Sequence, residues 1–404
     1  MKNKEMKTVV PKLRFPEFRE EGEWKETILG AVCEIKNGKS NVQDHIENGK
    51  YPLFDRSEIV KASNNYLFNC EAVILPGEGV RFIPKYYVGK FDLHQRAYAL
   101  KNFSCFGKFV YYLLLAHHDL MALKAVKSTV LSLRLPILKQ FSIIIPKLVI
   151  EQQKIADCLS SIDDLITLTA NKIEALKAHK KGLMQQLFPA EGEKVPAMRF
   201  PEFRGAGEWK EKTLKEVVSY ENGKAHESEI SETGKYIVVN SKYISTEGKI
   251  KKFTNNALSV ADKNDILMVL SDLPNGRAIA KCFIVDIPNL YVVNQRICKL
   301  TPHSVVSLFL YYSIDRNPYF LSFDDGVKQT NLKKEEVLRC PILLPEKMIE
   351  QQKIAGCLSS LDNLIAALSQ KLDALKTHKK GLMQQLFPDM NDIVWLKKRS
   401  HLQT

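Results

Sequence analysis

Eight cysteines are scattered along the chain and no two form a Cys-x-x-Cys pair. No His stands at ligand spacing from a cysteine pair, which removes the common zinc patterns and any dithiol redox motif. The cysteines therefore read as reduced and structural. Cys158 and Cys357 fall at matching places in a helical pattern, where a small apolar side chain packs well. No apolar run approaches the ~20 residues of a membrane span. FSIII at 141–145 and YYLLLA at 111–116 are the longest candidates, and both read as buried strand or helix. The opening MKNKEMKTVVPKL lacks the apolar core of a secretory signal, so a cytoplasmic chain is expected. There is no Walker A motif, and Gly77–Glu78–Gly79 does not open a recognisable βαβ unit. Asn317–Pro318–Tyr319–Phe320 lacks the second proline of the NPPY-type motif of adenine methyltransferases. Asp324–Asp325 is an isolated acidic pair, more often a turn than a metal site. No catalytic or metal-binding constellation emerges.

Positive charge is plentiful. A formal net charge of +13 points to a polyanionic partner, of which nucleic acid is the commonest. Apolar residues make up 45% of the 404, normal for a globular protein, and the length suggests two to three domains.

Repetition is the stronger signal. RFPEF at 14–18 recurs at 199–203, GEWKE at 22–26 recurs at 207–211, and NGK at 37–39 recurs at 222–224. EQQKIA at 151–156 recurs at 350–355, and HKKGLMQQLFP at 179–189 recurs verbatim at 378–388. The front motifs are shifted by 185 residues and the later ones by 199, so the middle of the second copy is longer by 14. A solenoid is excluded by the size of the repeat. Two large units in tandem are expected, 12–187 and 197–386, joined by PAEGEKVPAM and followed by a basic tail at 388–404. The middles match only faintly. HQRAYAL at 94–100 corresponds to NQRICKL at 294–300, and VKSTVLSL at 126–133 to VKQTNLKK at 327–334. A shared frame with unlike contents suggests one task performed on two targets.

The frame contains two heptad seams, alternating steps of four and three. The first runs through Ile155, Leu159, Ile162, Ile166, Thr169, Ile173, Leu176, Lys180, Leu183 and Leu187. The second runs through Ile354, Leu358, Leu361, Ile365, Leu368, Leu372, Leu375, Lys379, Leu382 and Leu386. Each helix would be about 50 Å long, ended by Pro189 or Pro388. Gly182 and Gly381 interrupt good helix at about 1 kcal/mol each, which suggests either a frayed end or the close approach of another backbone. Pairing the two helices about a pseudo-twofold axis gives an antiparallel coiled coil, a spacer of fixed length. Leu165 and Leu364 beside the seam, with Gln185, Gln186, Gln384 and Gln385, offer a duplicated docking face.

Between the frame motifs lie short apolar runs separated by turns at NGK, at PGEG (76–79) and at FGK (106–108). FVYYLLLAHHDLMALK and SLFLYYSI read as helices, and AIAKCFIV and YVVNQRICKL among others as strands, giving an α+β class. Candidate DNA contacts on presumed loops are Lys90, His94, Gln95, Arg96, Lys127, Ser128 and Thr129 in the first body. In the second they are Asn240, Lys242, Asn275, Arg277, Asn294, Gln295, Arg296, Lys328, Gln329, Thr330 and Asn331. Arg suits guanine and Asn or Gln suits adenine in the major groove, because each bonds bidentately; Lys, Ser and Thr serve phosphates. The Gln–Arg pair, present in both bodies, also has a structural explanation.

This arrangement resembles the specificity subunit of type I restriction–modification systems over nearly the whole chain, most specifically in the EQQKIA-to-QQLFP helix present twice. GKFDLHQRAYAL at 89–100 and DILMVLSDLPNGRAIAKCFIVD at 265–286 also look like segments of that family's target recognition domains. The resemblance implies two α/β target recognition domains, 12–150 and 197–346, each reading half of a split DNA site. It implies that spacer helices 151–188 and 350–387 set the gap and dock two methyltransferase subunits, which recruit motor–nuclease subunits. It implies no catalysis by this chain; S-adenosylmethionine, ATP and Mg²⁺ would belong to partners. The alternatives are a coiled-coil scaffold without DNA specificity and a stand-alone methyltransferase or nuclease.

Overall fold

The computed structural model describes residues 9–127, 130–226, 229–273, 276 and 278–389. The chain divides into two compact units, Met1–Asn171 with Ser369–Thr404, and Lys172–Leu368. Both long helices are present, Val149–Leu187 and Met348–Leu386, of 39 residues each. Each unit thus holds the first part of one long helix, the last part of the other, and one globular body.

In unit 1 the strands are β1 (Lys25–Ile28), β2 (Glu34–Asn37), β3 (Tyr51–Phe54), β4 (Lys61–Ser63), β5 (Phe68–Pro76), β6 (Lys85–Leu93), β7 (Ala97–Lys101) and β8 (Ser142–Ile145). Six of them form one sheet in the order β2-β7-β5-β6-β3-β4, while β1 pairs β8. The β5 run is apolar on both faces because clusters cover both sides. Val73 and Leu75 point into the cluster with Phe109 and Leu113, and Ala72 and Ile74 into one with Phe54 and Phe91.

In unit 2 the strands are β9 (Lys210–Thr213), β10 (Val218–Asn222), β11 (Tyr236–Val239), β12 (Phe253–Thr254), β13 (Val260–Ala261), β14 (Ile266–Val269), β15 (Ser271–Asp272), β16 (Cys282–Ile284), β17 (Tyr291–Val293), β18 (Ile297–Pro302), β19 (Thr330–Asn331) and β20 (Pro341–Leu344). The sheet divides into β10-β18-β14-β16 and β12-β11-β17-β13. The connectivity is that of unit 1 with two strands broken. Where β5 pairs β6 along one continuous ladder, β14 pairs β16 and β13 pairs β17. The parallel pairing of β3 with β6 is matched by that of β11 with β17.

Some sequence expectations change. FVYYLLLAHHDLMALK is two helices, Gly107–Ala116 and His118–Lys124, separated at His117. FGK is not a turn: Phe106 is the N-cap and Gly107 begins the helix. AIAKCFIV forms strand only over Cys282–Ile284, and YVVNQRICKL is β17, a turn and β18. A Cβ on Gly182 or Gly381 would meet nothing within 4 Å, and the helix continues through both, so neither close approach nor fraying explains them. Their presence has no explanation in the structure. Asn317–Pro318 caps the short helix Pro318–Leu321, with the Asn317 side chain accepting from Tyr319 N. Asp325 Oδ1 accepts from Val327 N and Lys328 N, which makes the acidic pair a turn. Among the described residues no cluster could hold a metal ion, and no helix is long and apolar enough to cross a membrane.

Candidate nucleic-acid interface

The repeated motifs meet in space within each unit and fix the platform for the variable loops. In unit 1 the Arg14 guanidinium donates to both carboxylate oxygens of Glu151, at 2.7 and 2.8 Å. Trp24 Nε1 donates to Glu151 Oε1 at 3.1 Å. Gln152 accepts from Phe106 N and donates to Pro146 O. In unit 2 Arg199 donates to Glu350 at 2.6 and 2.8 Å, and Gln351 accepts from Val306 N and donates to Pro345 O. RFPEF, GEWKE and EQQ are therefore one buried joint, made twice. Desolvating an Arg–Glu pair is costly, and the bidentate geometry offsets that cost.

The verbatim string closes the frame in a crossed fashion. In unit 1 Lys379 Nζ lies 2.6 Å from Asp163 Oδ1, whose Oδ2 accepts from Tyr112 OH. Gln385 O accepts from Leu13 N, and Leu386 and Phe387 enter the core beside Phe109. In unit 2 Lys180 bonds both oxygens of Asp362, which also accepts from Tyr312 OH. There Gln186 O accepts from Met198 N, and Leu187 and Phe188 pack against the core with Phe309. Burial and the bond to Asp163 push the Tyr112 hydroxyl pKa up, and burial and the bond to Asp362 do the same for Tyr312, so both stay protonated donors. In both units the string meets a part of the other helix nearer its start, so the two segments are antiparallel within a unit. The seam is buried at Ile155, Leu159, Ile162, Thr169, Ile173, Leu187, Ile354, Leu358 and Leu386. It is half-buried at Ile166, Leu176, Leu183, Leu361, Ile365, Leu372, Leu375 and Leu382.

The NGK motif positions the loops. A Cβ on Gly38 would fall 2.1 Å from Leu93 O, and one on Gly223 would fall 2.0 Å from Asn294 O. Only glycine allows that approach. It lets Lys39 N and Ser40 N donate to Leu93 O, and Lys224 N to Val293 O. The chain is thereby pinned beside the turn that carries His94–Gln95–Arg96 in unit 1 and Asn294–Gln295–Arg296 in unit 2. The turn's own backbone is held as well: Gly77 N donates to Arg96 O, and Leu270 N to Arg296 O. The repeated Gln–Arg thus has a backbone role, while both side chains are exposed in both units.

In unit 1 this turn walls a cleft of ≈ 520 Å³ that also receives Asn41, Val42, Gln43, Asp55, Arg56 and Glu78. Gln95 Nε2 donates to Asn41 Oδ1, and Arg96 pairs with Glu78 at 2.8 Å. Burial lowers the His94 pKa, and its Nδ1 accepts from Arg96 N, which requires the neutral ring. Asn41, Gln43 and Arg56 were missed in the sequence. Asn41 follows NGK by two residues and was within reach of that motif. Arg56 had no local signal, because β3 is brought to β6 by a parallel pairing across about forty residues.

The other candidates are less uniform. Lys90 lies inside β6 opposite Asn69, not on a loop, with Nζ 4.8 Å from the Tyr66 ring centre. Lys127 is exposed; Ser128, Thr129, Asn275, Arg277 and the tail from 390 on lie outside the described residues. Asn240 is the N-cap of the helix Ser241–Ser245, its Oδ1 accepting from Tyr243 N, and that helix contains Lys242. Asn294 is buried, with its Oδ1 accepting from Gln295 N. Lys328 is exposed. Thr330 and Asn331 form β19 rather than a loop; Thr330 is buried and donates to Asp324. Gln329 Nε2 donates to Ser271 Oγ and Asn331 Oδ1. The β15–β19 ladder and the Leu270–Arg296 bond bring the cluster of Gln329, Ser271 and Asn331 next to the turn that holds the Arg296 carbonyl.

A family profile described as "Type I restriction modification DNA specificity domain" matches residues 21–178 and again 206–377. The EcoDI specificity subunit of a type I restriction enzyme from Escherichia coli is 29% identical over 154 residues, 38% of this chain and 34% of that one. The MjaVIII specificity subunit from Methanocaldococcus jannaschii is 28% identical over 254 residues, 58% of this chain and 59% of that one. The chain thus spans a third to three-fifths of the length of these relatives. A type I restriction–modification S subunit from M. genitalium has the same fold, with a TM-score of 0.69 at 19% identity over 95% of this chain and all of that one. A chain from a structure titled for complex assembly and conformational transition of a type I system gives 0.51 at 13%, over 90% of this chain and 97% of that one.

Proposed function

The chain belongs to the family of type I restriction–modification DNA specificity proteins, and from that premise we propose that each unit reads one half of a split site in duplex DNA. The observation that carries this reading is the pair of locked turns. One frame, built from the same residues, holds the backbone of the x-Gln-Arg turn in both units and surrounds it with unlike side chains. Asn41, Gln43 and Arg56 stand beside the turn in one, Gln329, Asn331 and Ser271 in the other. Arg and amide side chains are those that read purine edges in the major groove. The positive net charge supplies affinity for phosphates.

The recognition domains are taken as 12–150 and 197–346, and the helices 151–188 and 350–387 as the spacer that sets the gap. Leu165 and Leu364 are exposed on those helices, at 47% and 42%, and with Gln185, Gln186, Gln384 and Gln385 form the duplicated docking face for two methyltransferase subunits. Those subunits bring the methyl donor, and motor–nuclease subunits bring ATP and Mg²⁺. The chain itself is not an enzyme, and it works in the cytoplasm.

The test is to assemble the full chain with the methyltransferase subunits of its complex and map methylated adenines across a genome. A two-part motif with a fixed gap is expected. Replacing 197–346 with the domain of another member should change one half only. Change in both halves, or in neither, overturns the two-reader assignment. A scaffold without DNA specificity would show no methylated motif and no salt-dependent affinity for duplex DNA.

A further inference from the structure

Each globular body exposes a large aliphatic side chain on the loop that follows the residue bonded to the turn, and the two stand at the same structural position. The correspondence comes from hydrogen bonds, not from the alignment of letters. Gly77 N donates to Arg96 O, and Leu270 N to Arg296 O, at 2.8 and 2.9 Å. Leu133 N donates to Gly77 O, and Leu332 N to Leu270 O, at 2.8 Å each. Glu78 bridges Ser132 just as Ser271 pairs with Asn331, in both cases antiparallel. Three residues beyond Gly77 is Val80, 82% exposed; three residues beyond Leu270 is Leu273, 70% exposed. The loops are otherwise unlike, Gly-Glu-Gly-Val against Leu-Ser-Asp-Leu.

A single exposed aliphatic residue is ordinary on any surface. Two at one position, in loops that share little else, mark that position as common to the two bodies. The surroundings of Val80 name the ligand. Val80 lies with Arg56 and Arg81 along a cleft that adjoins the one walled by Gln95 and Arg96. Guanidinium and amide groups suit purine edges of the major groove, and the one apolar feature of that groove is the 5-methyl group of thymine. Val is too small to wedge between base pairs, which favours an edge contact for Val80 over an intercalating one; Leu273 is assigned the same contact by its equivalent position.

We propose that Val80 and Leu273 are the apolar base contacts of the two readers, each seated on the thymine methyl of an A·T pair in its half-site. The proposal rests on the reading of the units as DNA readers. It adds a base class and a residue to each half-site.

Once the two-part motif is known, thymines of each half-site are replaced one at a time by deoxyuridine in a synthetic duplex. Binding is measured by competition with the full chain assembled with its methyltransferase subunits. One thymine per half-site should matter, with about a fourfold loss of affinity when its methyl is removed. Val80→Ser should abolish the thymine–deoxyuridine difference in one half-site and leave the other intact; Leu273→Ser should do the reverse. Both side chains are exposed, so neither change threatens folding. The proposal is overturned if no thymine methyl matters, if a half-site holds only G·C pairs, or if the serine variants still discriminate. Loss of all sequence-specific binding by the unaltered complex would instead defeat the reader assignment itself.

Discussion

Trp24 and Trp209 occupy the same place in the two units and differ by one bond. The indole N–H of Trp24 reaches Glu151, whereas that of Trp209 is buried without a hydrogen-bond partner among the described residues. The Arg–Glu pair beside them is intact in both. The sheets differ in the same limited way. Long strands β5 and β6 of unit 1 are each cut in two in unit 2, but the order of pairing survives. The joint of Arg, Glu and Gln has to be satisfied because its groups are buried; a broken strand or a lost indole bond is tolerated as long as that joint holds. The units teach that the frame is specified by polar groups with no alternative partner, and that the bodies are specified mainly by which face is apolar.

The largest effect should come from breaking the joint. Glu151→Ala leaves a buried guanidinium unpaired and should cost unit 1 about 3–5 kcal/mol. Glu350→Ala should cost unit 2 less, by about 1 kcal/mol, because Glu350 lacks the indole bond. Urea unfolding followed by hydrogen exchange in peptides of each unit measures both. Equal losses would mean that the Trp24 bond contributes nothing.

The helices allow a second comparison, ends against middle. Leu159 and Leu358 are fully buried, so their change to Ala should cost about 2–5 kcal/mol. Leu176→Ala and Leu375→Ala, half-buried, should cost about 1 kcal/mol. If the assembled complex raises the cost at 176 and 375, partner subunits cover that stretch.

Next come the glycines. Gly38→Ala and Gly223→Ala each force backbone apart and should cost about 1–3 kcal/mol. Each should weaken one half-site, a different one in each variant, by the same mapping of methylated sites.

One effect is pH-dependent and confined to unit 1. Burial lowers the His117 pKa to about 4, while the equivalent helix of unit 2, Ser307–Ile314, ends at Asp315 and carries no histidine there. Below about pH 6.5 the unfolded chain takes up a proton that the folded ring refuses, so stability is lost as pH falls from there towards 4. At pH 5 unit 1 should have lost about 2 kcal/mol relative to pH 7 through this group. His117→Asn should remove that loss, read by thermal unfolding at the two pH values.

Much of this was legible in the letters. Steps of four and three marked both long helices from Ile155 and Ile354, six residues inside their starts, because a buried stripe leaves a period of its own. The repeated motifs announced a frame. Its wiring was hidden: that Glu151 takes Arg14 and Trp24, or that Lys379 takes Asp163, follows from segments brought together across more than a hundred residues. The candidate contacts fared unevenly for the same reason. His94 and Arg96 could be picked because a turn lay between two apolar runs, and their neighbour Arg56 could not.

The sequence by itself determined the duplication, the long helices, the class of each body and the basic charge, since each is a local pattern or a sum over residues. Only the tertiary structure decided that the two identical strings close the frame in crossed fashion, so that each compact unit is completed by the end of the other long helix. It also decided which polar residues surround the turn and that Val80 and Leu273 share one position. Those are matters of hydrogen-bond pairing between distant strands, and pairing leaves no mark on the neighbouring letters.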